Sequence, residues 1–258
     1  MSRWTERATV ALFAWAIGGG CSTHVNIGNA LLWSARHETA DFSEWTADGK
    51  GGYSADTPDT AVTISTDVAH SGTHSVKLSN GAPSMYETAR LWRQDDFPQD
   101  AFYSAWFYLP QTFETTADWT IMQFRVPATG DGGLAGLLID VDLRSLPGGD
   151  LILDIYDHRA PYLRSPTAYP AIPVPIAEWF QVEAFYRNVG DDSGRLTLWL
   201  NGRLNYDLQR PFGLSSTTYW SLCSSTEGLS PTQSDLYVDD AAVSLVRVGP
   251  AGVLTAPE

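Results

Sequence analysis

Apolar and polar residues alternate along most of the chain with a period of two, the spacing that sets one face of a β-strand on a core and the other in solvent. The pattern runs through "NALLWSARHE", "TAVTIST", "HSVKLS", "YETARLWRQ", "AFYSAWFYLP", "DWTIMQFRVP", "GLLIDVDLR", "DLILDIYDH", "WFQVEAFYRN", "GRLTLWLNGRLNYD", "YWSLCSS" and "DLYVDDAAVSLVRV". Turn formers separate these runs, among them "AHSGTH", "SLPGGD", "GDDSG" and the tight Asn201-Gly202 pair. A dozen or so short strands with no sustained helical period predict an all-β fold, an antiparallel two-sheet β-sandwich or a barrel. The proline-rich "RSPTAYPAIPVP" cannot pair centrally in a sheet and reads as a loop over the surface or beside a groove.

Length and composition narrow this. A chain of 258 residues suits one all-β domain, expected over residues 31–248 with a loose tail over 249–258. Hydrophobic residues make up 43% and tryptophans number ten, enough for a sizeable core and a binding surface besides. Thirty acidic residues against sixteen basic give a net charge of −14, with no basic run. Nucleic acid is therefore excluded as a partner. The same charge opposes a polyanionic glycan unless the few arginines are gathered in one groove.

The first twenty residues read as a processing signal. Arg3 and Arg7 flank a short n-region, Ala8 to Ile17 are apolar, and three glycines lead to Cys21. The stretch is too short to span a bilayer as a permanent helix. It resembles a bacterial lipoprotein signal, although Gly18 stands where that family carries Leu, Val or Ile. The resemblance implies a signal over residues 1–20, acylation of Cys21, a linker over 21–30, and an exported protein at the outer membrane or cell surface. Its only membrane contact would be the lipid, and Ser22 would not retain it at the inner membrane. Ordinary export to the periplasm or medium stays open, with Cys21 removed or paired to Cys223. Within "YWSLCSS", Cys223 reads as a buried free thiol.

Alternation sorts each strand into a core row and an open row. Ala89 and Leu91 point in, leaving Arg90, Trp92 and Gln94 out; Met122, Phe124 and Val126 point in, leaving Ile121, Gln123 and Arg125 out. In the same way Asp140, Asp142 and Arg144 are exposed by one strand and Asp154, Tyr156 and His158 by the next. Gln181, Glu183, Phe185 and Arg187 form another open row, and Arg195, Thr197, Trp199 and Asn201 a last one. Some of these rows belong to a merely solvated sheet. Four or more on one concave sheet would bring aromatics, arginines, amides and carboxylates together, the equipment of a sugar site. Flat rings such as Trp92, Trp199 and Tyr156 take the C–H faces of a sugar, while Gln94, Gln123, Arg125, Asp140, Asp142, Asp154 and Glu183 replace the hydrogen bonds its hydroxyls lose on desolvation.

"LLWSARHETADFSEW", "AHSGTHSVKLS" and the closing "DLYVDDAAVSL" resemble the first and last strands of carbohydrate-binding jelly rolls. "AFYSAWFYLPQTF", "WTIMQF", "AEWFQVEAFYR" and "GRLTLWLNGRL" are similar to the middle of concanavalin A-like sandwiches, in particular jelly-roll polysaccharide lyases related to heparin and glucuronan lyases. A lyase neutralises the uronate carboxylate so that the neighbouring proton becomes acidic, then moves that proton with a Tyr or His. The resemblance implies that Gln123 is the neutralising glutamine, with Arg125 where a histidine often stands. The family's Arg-x-Glu-x-Arg strand is matched only at Arg90. Tyr156 and His158 are the candidate acid and base. A retaining glycosidase would need two carboxylates about 5–5.5 Å apart; the Glu-x-Asp-x-x-Glu strand of sandwich glucanases is absent. No cofactor is required for the chemistry. The jelly-roll resemblance also implies a structural calcium ion held by Glu38, Asp41 and Asp240, all oxygen ligands; the alternative is that the Asp239-Asp240 pair only blunts a strand edge.

The sequence thus leads to an exported β-sandwich that binds polysaccharide or oligosaccharide. Two other readings stay open: an active lyase that cleaves a uronate-containing glycan by β-elimination, and a structural envelope lipoprotein without a sugar site.

Overall fold

A computed structural model describes residues 25–26, 28–81, 87–115, 118–125, 137–158, 171–212, 217–226 and 228–253. The alternating runs become strands β1 (Leu31–Ala35), β2 (Gly51–Ala55), β3 (Thr60–Ser65), β4 (Ser75–Asn80), β5 (Glu87–Asp95), β6 (Asp100–Tyr108) and β7 (Trp119–Arg125). They continue as β8 (Leu137–Ser145), β9 (Leu151–Asp157), β10 (Trp179–Arg187), β11 (Arg195–Leu200), β12 (Arg203–Gln209), β13 (Thr218–Thr226) and β14 (Ser234–Ser244).

The strands form two antiparallel sheets. One has six strands in the order β9-β8-β7-β13-β5-β2, and the other runs β12-β11-β10-β6-β14-β4-β3, with β1 also paired to β14. The chain crosses repeatedly between the sheets, so that β13, late in the sequence, lies in the middle of the six-stranded sheet between β5 and β7. Of the sandwich and barrel that the period-two pattern allows, this is the sandwich, with the jelly-roll form that the family resemblance implies.

The inward rows meet in one core. Ala89, Leu91, Met122, Phe124, Ile139, Val141, Leu143, Leu153 and Trp220 come from the six-stranded sheet, and Tyr103, Phe107, Phe180, Val182, Leu196 and Leu198 face them from the other. Burial of this apolar surface is the main force closing the sandwich.

One feature breaks the alternation. Ser43–Thr46 form a helical turn between β1 and β2 that buries Trp45, and Asp41, just before it, accepts from the Ser43 amide at 2.9 Å and the Ser43 hydroxyl at 2.5 Å. Trp45 then donates to His37 Nε2 at 3.1 Å, and His37 Nδ1 lies 3.3 Å from Asp239 Oδ1. Because Nε2 accepts, Nδ1 carries the proton and donates to the carboxylate. Near the chain ends, Val25–Asn26 and Gly252–Val253 pair as a short parallel ladder. The expected signal, Cys21 and residues 164–170 of the proline-rich segment lie outside the described residues. Pro173 bridges to Ile152 at the β9 edge, where an edge proline is tolerated.

Candidate functional site

Strand register assembles the open face of the six-stranded sheet. Tyr156 on β9 stands opposite Asp140 on β8, Asp140 opposite Gln123 on β7, and Gln123 opposite Ser221 on β13. Ser221 in turn faces Trp92 on β5, and Trp92 faces Gly52 on β2. With neighbouring strands about 4.8 Å apart, this row crosses the whole sheet. Arg125, Tyr219 and Gln94 stand side by side in the next row, and Cys223 lies opposite Arg90. Asp142 lies opposite Asp154.

Tyr219 is the centre of the β5–β13–β7 half. The rings of Trp92 and Tyr219 stack at 5.5 Å with 13° between their planes, and the Arg125 guanidinium lies 5.6 Å from the Tyr219 ring centre. Burial pushes the Tyr219 phenol above its ordinary range, while the guanidinium groups of Arg90 and Arg125 pull against that and Arg90 hydrogen-bonds to it. Burial and the neighbouring charge of Arg90 hold the Arg125 guanidinium below its ordinary value. Gly52 leaves room for the indole: a Cβ there would meet Trp92 Cζ2 at 2.9 Å and Nε1 at 3.1 Å.

Gln123 is buried, and the Ser221 hydroxyl donates to its Oε1 at 3.3 Å. That bond orients the amide so that its NH₂ group remains a donor. On the β8–β9 half, His158 Nε2 lies 2.8 Å from Asp140 Oδ2, and the Tyr156 and His158 rings meet edge to face at 4.6 Å. A carboxylate only accepts, so Nε2 bears a proton, and in the neutral ring Nδ1 is then the nitrogen with the lone pair. Asp154 is taken up by Arg144 Nε at 2.6 Å and by the hydroxyl of Tyr206 on β12 at 2.9 Å. It ties the sheet edges together.

Arg90, Trp92, Gln94, Gln123, Arg125, Asp140, Asp142, Asp154, Tyr156 and His158 therefore all lie on the six-stranded sheet or, for His158, directly after β9. Glu183 and Trp199 do not. They belong to β10 and β11 of the other sheet. Glu183 is fully buried and accepts from the Val248 amide at 2.6 Å, the Gly249 amide at 3.1 Å and Arg247 Nε at 2.8 Å. Trp199 lies under the Arg247 guanidinium at 4.2 Å. Their rows alternate as the sugar-facing rows do, but pairing with β6 puts them on the opposite side of the molecule.

The proposed calcium ligands are also apart. Glu38 accepts from the Thr73 and His74 amides at 2.9 and 3.0 Å, Asp41 accepts from the Ser43 amide, and Asp240 holds His70 Nδ1 at 2.6 Å and the Ser71 hydroxyl at 2.9 Å. Among the described residues no group of three or more His, Cys, Asp and Glu is arranged to hold a metal ion. Asp239 and Asp240 sit where β14 bulges against β6.

Tyr219, Ser221 and Cys223 were missed by the row analysis of the sequence. "YWSLCSS" alternates as plainly as its neighbours, with Trp220 and Leu222 in the core. Sorting it the same way would have found them. Cys223 is a buried free thiol, as its strand context suggested, and burial pushes its pKa up to about 12.

A two-sheet jelly roll with aromatic, amide and guanidinium groups on one open face is the architecture of a carbohydrate-active protein. The family model for polysaccharide lyases matches residues 37–220, and the chain belongs to that family. Its function is accordingly of the glycan-binding or lyase type. The fold is similar to that of the endo-β-1,4-glucuronan lyase from the fungus Trichoderma reesei, at 12% identity and a TM-score of 0.59 over 84% of this chain and 96% of that one. It is likewise similar to the cellulose-induced protein Cip1, at 18% identity and a TM-score of 0.56 over 84% and 98%. An alginate lyase in complex with an alginate trisaccharide matches at 12% identity and a TM-score of 0.59 over 83% and 98%. At these identities the likeness concerns the fold. No curated protein sequence matches the chain.

Proposed function

We propose that the open face of the six-stranded sheet binds a uronate-bearing polysaccharide and cleaves it by β-elimination. The observation that carries this reading is the gathering of Arg90, Arg125 and Gln123 around Tyr219 on a protein of net charge −14. In an acidic protein, paired guanidinium groups on one face make a local site for a carboxylate. Bound there, the uronate carboxylate is neutralised and the proton on the adjoining carbon becomes acidic.

His158 takes that proton on Nδ1, while Asp140 holds Nε2–H. The C–H electron pair forms the new double bond and the bond to the leaving sugar oxygen breaks. That oxygen takes the proton of the Tyr156 hydroxyl, whose ring meets that of His158 edge to face at 4.6 Å. Solvent returns a proton to Tyr156 and removes one from His158. Trp92, stacked on Tyr219, supplies an apolar ring for a neighbouring sugar.

Turnover is read as the ultraviolet absorbance of the unsaturated product. Tyr156→Phe keeps the ring beside His158 but lacks the proton, so it should lose about 10²–10⁴-fold in turnover with binding retained. A wild-type protein that binds uronate oligosaccharides without forming unsaturated product would replace this reading with that of a non-catalytic binding module. That second reading is favoured by Arg125 standing where the family resemblance implies histidine.

We further propose that the protein is exported and held at the cell surface through an acylated Cys21, on the strength of the Arg-flanked apolar stretch that ends there. Mass spectrometry of the mature N-terminus tests it. An unmodified N-terminus downstream of Cys21 would end the idea.

A further inference from the structure

Acidic residues number thirty in the chain, yet residues 22–37 and 241–257 contain none. The described parts of these two segments come together over the outer side of the eight-stranded sheet. Ser244 stands opposite Leu31, the Leu245 amide donates to the Ala30 carbonyl at 2.8 Å, and Val25–Asn26 pair with Gly252–Val253. Beneath this layer the buried Glu183 accepts from the Val248 and Gly249 amides, and the Gln181 side chain donates to the Gly249 carbonyl at 3.0 Å.

Residues 245–253 read "LVRVGPAGV", in which Arg247 is the one polar side chain. Burial would be the ordinary fate of such a stretch, but much of it faces out. Among the described residues Leu32, Tyr53, Leu245 and Val246 are the exposed large hydrophobic ones, and three of the four lie in or beside this layer. Pro250 and Ala251 are exposed with them. Arg203, exposed just after the β11–β12 turn, lines a shallow groove with Arg247 and Pro250. On a protein of net charge −14, an apolar layer edged by cations and free of acids fits hydrocarbon beneath phosphate, the chemistry of a phospholipid bilayer. The position of Cys21 agrees. Four residues carry the chain from it to Val25, a span of at most about 14 Å, so a lipid on Cys21 would hold this layer at the membrane.

We infer that the layer rests on the bilayer, with Leu245 and Val246 in the headgroup region and Arg203 at the phosphates. The open face of the six-stranded sheet, on the other side of the sandwich, then looks away from the membrane. The inference rests on the proposed acylation of Cys21, and it adds an orientation that a lipid alone does not supply.

The test uses the mature chain that begins at Cys21, coupled through that cysteine to a maleimide lipid in vesicles of phosphatidylethanolamine and phosphatidylglycerol; Cys223 is buried and does not compete. Amide hydrogen exchange is compared between coupled and free protein. Exchange over residues 245–252 should slow at least about threefold on the vesicle, while β2, which carries the exposed Tyr53 on the six-stranded sheet, exchanges as before. Leu245→Glu combined with Val246→Glu should restore the free rate in protein that is still coupled, and unchanged exchange in β10 shows that this variant is folded. Equal exchange in coupled and free protein, slowing on both sheets alike, or slowing that the folded variant keeps overturns the inference. Slowing that grows with the density of protein on the vesicle marks contact between copies of the chain and overturns it too. Because chemical coupling replaces the natural lipid, the orientation can fail where mass spectrometry finds Cys21 acylated, and it can hold where Cys21 is found unmodified.

Discussion

The outer faces of the two sheets carry the same kinds of residue and use them differently. On the eight-stranded sheet charges are matched in place: Arg195 with Asp207 at 2.5 Å, Arg187 with Asp100 at 2.6 Å, Lys77 with Asp235 at 3.0 Å, and Glu183 with Arg247. Its tryptophans are capped, Trp106 by the stacked ring of His70 at 3.7 Å and Trp199 by Arg247. On the six-stranded sheet Arg90 and Arg125 collect around the Tyr219 phenol and Asp140 and Asp142 lie on β8, while Asp154 beside them is matched with Arg144 at 2.6 Å. Matched pairs hold a surface together; segregated charge makes a field that a ligand can feel. Residue content alone does not mark a site, and the arrangement of charge along the strands does.

The comparison breaks first at Glu183. Glu183→Ala removes the acceptor of two backbone amides and of Arg247 from a buried position. It should cost about 2–4 kcal/mol of stability, read as a lower urea midpoint with unchanged slope, and leave glycan affinity intact. Arg247 is 38% exposed in its side chain, so most of that cost belongs to the amides and not to the ion pair. Lost glycan affinity with unchanged stability would place ligand on the wrong sheet.

A smaller effect separates the two tryptophans. Trp92→Ala removes the ring stacked on Tyr219 from a half-buried position and should weaken glycan binding about tenfold while the protein stays folded. Trp199→Ala should leave affinity unchanged, because its face is occupied by Arg247. Equal losses in the two variants would erase the distinction between the faces.

How much of this could be read from the sequence follows from what alternation encodes. A period of two tells which side chains share a face of their own strand, so Arg90, Trp92 and Gln94 separate cleanly from Ala89 and Leu91. It says nothing about which strands become neighbours. The rows of Glu183 and Trp199 have the same texture as those of Gln123 and Asp140, and only the pairing of β10 with β6 sends them to the other sheet. β13 was legible as a strand, but nothing local places it between β5 and β7, which is what brings Tyr219 to Arg125. The helical turn at Ser43–Thr46 was hidden because one turn is too short to show a period of its own. The surroundings of the three acids named for calcium were hidden for a related reason. Resemblance picked out acids near the two ends, while the donors that occupy them, Thr73, His74, Ser43, His70 and Ser71, come from intervening loops.

The smallest expected effect concerns those acids. An ion that binds only the folded state stabilises it by mass action, so a calcium site there would make the melting temperature fall with chelator. Burial pushes the Glu38 carboxyl up, yet the amides of Thr73 and His74 outweigh it and hold the group below its ordinary range. Asp41 is likewise held low by the Ser43 hydroxyl and amide. Calcium would have to replace these N–H and O–H bonds with its own contacts, and would need six or more oxygens where the three acids are spread over separate networks. Chelator and millimolar calcium should therefore leave the melting temperature where it is. The carboxylates' own stabilisation should disappear only in acid: a depressed folded pKa contributes above the unfolded value near 4 and is lost as pH falls through the folded one. A melting temperature that rises with added calcium at neutral pH, and falls again in Glu38→Gln, would show that these acids exchange their protein donors for the ion and would restore the metal to this end of the sandwich.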